Sequence, residues 1–193
     1  MVSLINYTLS NHFLLDASAL PFPIAANAMA VVYLSKISVL LRDLTYIELS
    51  QEAEKLSLEI RQAIATKGVF THPIYGQVYA YEIDGFGNAI FMDDANVPSL
   101  LSLPFLGFCS KDDPIYLNTR KLILSLDNPY YFKGSSGKGI GSPHTGLGWI
   151  WPMSIVMQAI TSTSDDEIKE CLEMLKESSK GFGFLHESVC LFV

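Results

Sequence analysis

The chain has 193 residues, 49% of them apolar, and a formal net charge of −7. That length suits one domain with a substantial core, and the apolar content excludes a disordered chain. The acidic balance argues against nucleic acid, whose binding needs clustered Lys and Arg, but leaves a neutral sugar or another small polar ligand open.

Residues 1–13, "MVSLINYTLSNHF", lack the basic region of a secretory leader. The most apolar run, residues 25–41, is interrupted by Asn27, Ser35, Lys36 and Ser38, and reads as a buried helix rather than a membrane span. Cys109, Cys171 and Cys190 form no CxxC pair and no disulfide framework. A cytoplasmic location with no membrane partner is the default expectation.

In chain order, "PIAANAMAVVYLSKISVLLR" is apolar on nearly every face, the pattern of an inner helix. "TYIELSQEAEKLSLEIRQAIATKG" is amphipathic and ends at Gly68, a plausible C-cap. The two predict a helical hairpin. In "GQVYAYEIDGFGNAIFM", β-branched and aromatic residues flank "DGFGN", which predicts one short β-hairpin. "NVPSLLSLPFLGF" and "PIYLNTRKLILSL" predict two helices, the second opening after Asp112-Asp113. "DNPYYFKGSSGKGIGSPHTGLG" reads as a long loop of functional type. "WIWPMSIVMQAIT" and "SDDEIKECLEMLKESSK" predict another helix pair, with Ser164 and Glu167 as a capping box.

Several motifs are excluded by spacing. "GSSGKGIGS" is not a phosphate-binding P-loop, because Gly139 rather than Ser or Thr follows Lys138. His12, His72, His144 and His186 stand apart, with no metal-ligand spacing. No GxSxG elbow supports a serine nucleophile. Three stretches retain chemical interest. Asp93, Asp94 and Asn96 in "MDDANVPSLL" either cap a helix or grip sugar hydroxyls. His144, Thr145, Trp149 and Trp151 in "SPHTGLGWIWP" combine rings with hydrogen-bonding groups, which suits a sugar, or the tryptophans are core. Glu187 follows "GFGF" near the end of the sequence, where an isolated Glu is ordinarily a solvated surface residue.

Taken together, "YEIDGFGNAIFMDDANVPSLLSLPFLGF", "FKGSSGKGIGSPHTGLGWIWPMSIVMQAITSTSDDEI" and "GFLHES" resemble glycoside hydrolase family 125, the exo-α-1,6-mannosidases, from about Asp16 to Ser188. The resemblance implies an all-α fold, a partial (α/α)6 barrel of helical hairpins in a single domain over 1–193, covering roughly the C-terminal half of the family's length. It implies metal-independent, cofactor-free hydrolysis of mannose-containing oligosaccharides with inversion. Inversion needs two carboxyl groups standing well apart, one protonating the leaving oxygen and one activating water.

By the same resemblance Glu187, in "HES", is the general base, and Asp93, Asp94, Asn96, His144 and His186 contribute to the sugar site. The family's acid lies in a segment resembling "SGFRPSDDAC", whose counterpart here is "NHFLLDASAL". Leu15 stands at the first Asp of that motif, Asp16 at the second and His12 at the arginine. If the acid is the first Asp, it is lost; if the second, Asp16 keeps it. Half a barrel leaves inner helices open to water unless a partner chain completes it. The alternative to an impaired mannosidase is therefore a non-catalytic fragment or a partner-dependent sugar-binding half-barrel.

Overall fold

A stretch that is apolar on every side needs protein around it, and the chain builds one as α1 (Ile24–Asp43). The computed structural model describes residues 18–134, 137–179, 181 and 183–190. Within them α1 folds back against α2 (Ile47–Lys67). Serines line the contact: Ser57 Oγ donates to Val31 O at 2.8 Å, and Ser50 Oγ to Ser38 O at 2.6 Å. Each hydroxyl is thereby satisfied where water is excluded. As expected α2 ends at Gly68, but by a different device from the left-handed cap, since φ there is −94°. Glycine fits because a Cβ would lie 2.8 Å from Ile24 Cδ1 and 3.0 Å from Ile64 O.

β1 (Phe22–Pro23), β4 (Glu82–Ile83) and β5 (Ala89–Ile90) form a three-stranded antiparallel sheet in the order β1-β4-β5. The predicted hairpin is its β4–β5 half, and Asp84 Oδ1 braces the turn by accepting from Phe86 N and Asn88 N. The residues before it pair elsewhere, β3 (Gly76–Tyr79) with β2 (Val69–His72). The predicted helix at residues 96–108 shrinks to α3 (Leu103–Leu106), closed by Gly107 at φ 85°. α4 (Pro114–Ile123) starts where expected, and Asp113 accepts from Tyr116 N at 2.9 Å.

The glycine-rich segment is not a structureless loop. β6 (Tyr131–Gly134) and β7 (Gly137–Ile140) pair within it, because Tyr131, Phe132 and Ile140 supply apolar anchors on either side of the glycines. β8 (Trp149–Ile150) then leads into α5 (Pro152–Thr161) and α6 (Asp165–Ser178), and β8 pairs with β9 (Val189–Cys190). Ser164 caps α6 by accepting from Glu167 N, but Glu167 does not complete the reciprocal box. Its carboxylate instead takes Arg120, Gln158 and Ser162, tying α6 to α4 and α5. Burial pushes that carboxyl up, and these three donors together outweigh it and hold it below the usual range.

The result is helical hairpins joined by short β-ladders, more numerous than the single hairpin expected. One core joins the first half of α1 to α2, α3, α4 and β7; a second, smaller one lies between β8, β9, α5 and α6.

Candidate functional site

Asp93 and Asp94 follow β5 directly, and their side chains go to different work. Asp93 is wholly enclosed; Oδ1 accepts from Leu100 N at 2.8 Å and Oδ2 from Leu101 N at 2.9 Å. Asp93 thereby braces the turn ahead of α3, whose own N-cap, Ser102, makes no side-chain cap. Burial pushes its carboxyl up to about 8, the two amides pulling back and the Asp94 charge adding to the rise. Asn128 holds Asp93 from the far side, accepting from its backbone N and donating to its O. Asp94 Oδ1 accepts from both the backbone N and the Nδ2 of Asn96, at 2.8 and 3.1 Å, and its Oδ2 accepts from Ser142 Oγ at 3.1 Å.

Through Ser142 the 93–96 segment reaches the loop that carries His144. Ala95 N donates to Gly141 O at 3.1 Å, and His144 N to Ser142 Oγ at 3.2 Å. Gly141 is the crossing point. A Cβ there would lie 2.0 Å from Trp149 O and 2.9 Å from the Phe132 ring, so no other residue lets the loop pass so close beneath β8. Trp149 and Trp151 differ in burial. Trp151 is core, 3% exposed, with Nε1 donating to Thr145 Oγ1 at 2.9 Å and its ring edge-on to His144. Trp149 is 40% exposed.

β9 supplies the third segment. Its register sets Cys190 against Trp149 and Val189 against Ile150. Residues 186–188 lead directly into this two-residue ladder. His186 and Glu187 are exposed there, and among the described residues no hydrogen bond fixes the Glu187 carboxylate. Three separate stretches thus meet through one series of backbone neighbours, Ala95, Gly141, Trp149 and Cys190.

Asp16 lies outside the described residues, with Leu15 and His12. The chain just after it is held by Glu82, a buried carboxylate whose Oε2 accepts from Ala19 N at 2.9 Å and Leu20 N at 2.8 Å. Glu82, Gly141 and Ser142 were not singled out from sequence. Glu82 alone had a local signal, a carboxylate inside an otherwise apolar strand. Among the described residues no three His, Cys, Asp or Glu side chains converge as metal ligands.

Comparison with known proteins identifies the family and the fold. Residues 15–192 match the family described as metal-independent α-mannosidase (GH125). The meiotically up-regulated gene 157 protein of Schizosaccharomyces pombe is 52% identical over 175 residues, covering 90% of this chain and 34% of that protein. A solved structure of a metal-independent α-mannosidase from Streptococcus pneumoniae, in a non-productive substrate complex with α-1,6-mannobiose, superposes with a TM-score of 0.88 at 38% identity. It covers 92% of this chain and 42% of that one. A bacterial glucoamylase complexed with acarbose shares the fold, with a TM-score of 0.71 at 18% identity, over 89% of this chain and 30% of its own. Both are (α/α)6 barrels, and the helical hairpins described here form part of one. The chain spans about a third of the curated relative it matches.

Proposed function

The chain belongs to the metal-independent α-mannosidase family GH125, and on that footing we propose that its site hydrolyses α-linked mannose in oligosaccharides with inversion at the anomeric carbon. Glu187 is the general base. It takes a proton from water as the oxygen attacks the anomeric carbon, and its exposure leaves it open to that water. Asp16 is the general acid and delivers a proton to the departing oxygen from the opposite face, which inversion requires to be about 6.5–9.5 Å away. Asp94, Asn96, His144 and His186 take the sugar hydroxyls, and Asp93 acts on the same site through the loop it fixes.

The observation that supports this reading is the meeting of 93–96, 141–151 and 189–190 through Gly141, since it joins the segment of Asp94 and Asn96, the loop of His144 and the strand that follows Glu187. α-1,6-Mannobiose, the sugar in the pneumococcal complex, is the substrate to assay. Glu187→Gln is expected to lower turnover by about 10²- to 10⁴-fold, the usual worth of a positioned base. If the unaltered chain turns over no faster than that variant, the catalytic reading fails.

A second reading, a sugar-binding half-barrel that depends on a partner, is favoured by the share of the relatives that this chain spans. Mannobiose binding that weakens on Asn96→Ala or His144→Ala, without turnover, would select it.

A further inference from the structure

The two halves of α1 have different surroundings. In the first, Ile24, Ala28 and Val31 are wholly buried. In the second, Tyr33, Ile37, Leu40 and Leu44 are 51%, 44%, 56% and 54% exposed. Spaced by four, three and four residues, they form one continuous stripe that continues the axis of α1 past its last turn. Val39 extends the apolar surface on the same half-helix. The exposed side of α2 is mixed: Glu48, Gln51, Glu52, Glu54, Lys55 and Glu59 stand among Ile47, Leu49 and Leu58, which are 50%, 52% and 61% exposed. A run of four large apolar side chains at regular helical spacing, each about half exposed, marks an interface.

We propose that this stripe is the docking face for a further helical hairpin of the same family's barrel, one of those that this chain does not contain. What names the occupant is the extent of the match. Nearly all of this chain, 92%, superposes on the pneumococcal enzyme, yet it accounts for only 42% of that enzyme and 34% of the S. pombe relative. More than half of each relative is therefore protein with no counterpart here. α2 and α3 flank α1 on other sides, so the open stripe is the side left for that missing protein. A bilayer fits less well. The same half-helix carries Lys36 over the Tyr33 ring and Arg42 paired to Glu54, and Ser38 is buried against Ser50 of α2. The proposal rests on family membership and the open face, not on the catalytic roles above, so binding and turnover test the two separately.

The test is co-expression of the tagged 193-residue chain with the portion of the S. pombe relative that it does not match. A 1:1 complex stable to gel filtration is expected. Ile37→Asp with Leu40→Asp should cut its recovery at least tenfold, as should Leu44→Lys as an independent variant. Leu172→Asp, at a 58% exposed position on α6, should leave it intact. Because the altered side chains are exposed, each variant alone should keep the parent's thermal melt, and amides in the second half of α1 should exchange more slowly in the complex. No complex, or one indifferent to the stripe variants, overturns the proposal. So does a homodimer of this chain, or adsorption to phosphatidylcholine vesicles, that the same variants abolish.

Discussion

On the proposed reading the segment around Asp93 and Asp94 and the segment around Glu187 serve one site, and they are built in opposite ways. The first is over-determined: both oxygens of Asp93, both of Asp94 and the crossing at Gly141 are committed to protein partners. The second hangs from a two-residue ladder, Val189 and Cys190 on β8, with the carboxylate in solvent. The 93–96 segment is thus organised by side-chain contacts inside this chain, whereas among the described residues the 186–190 segment is tied by its ladder to β8.

Removing what locks the first segment should have the largest effect. Gly141→Ala forces a Cβ against Trp149 O, and should cost about 3 kcal/mol or leave no folded protein, as read by urea unfolding. Asp93→Ala leaves the Leu100 and Leu101 amides unpaired in the interior and should cost about 2 kcal/mol. On the other side, Val189→Ala trims a residue of the smaller core and should cost only about 1 kcal/mol. Glu187→Gln should shift stability by less than about 0.5 kcal/mol, since the residue is exposed and among the described residues no hydrogen bond holds its carboxylate. A large loss at Glu187, or none at Gly141, would reverse the comparison.

Acidity sharpens the same contrast. Asp93 keeps its proton to about pH 8 in the folded chain, against about 3.9 when unfolded. Its contribution to stability is full below the unfolded value and is lost as pH rises from about 4 to 8, because the unfolded chain releases the proton first. Melting temperature should fall across that window, and Asp93→Asn should flatten the slope.

The helices were legible in the sequence because their apolar spacing and caps are local. α1, α2, α4 and α6 begin and end near where residues such as Asp113, Ser164 and Gly68 place them. The loop at 127–148 was not, since its glycines and serines hide the alternation of Tyr131, Phe132 and Ile140. α3 is short because Asp93 captures the amides of Leu100 and Leu101 in a turn, which no periodicity reveals. Within the candidate site, spacing offered Asp93, Asp94 and Asn96 as a cluster but could not say which one braces the turn ahead of α3. Ser142 escaped notice because its partner, Asp94, lies 48 residues away. Glu187 carried no local signal at all; only the family resemblance raised it above a surface residue.

The central claim, that Glu187 serves as the base of an inverting α-mannosidase site, is tested most directly by the anomer first released from α-1,6-mannobiose, followed by proton NMR. Inversion predicts β-mannose before mutarotation sets in, and no release above buffer with Glu187→Gln. α-Mannose appearing first, or equal release by the two proteins, would contradict it.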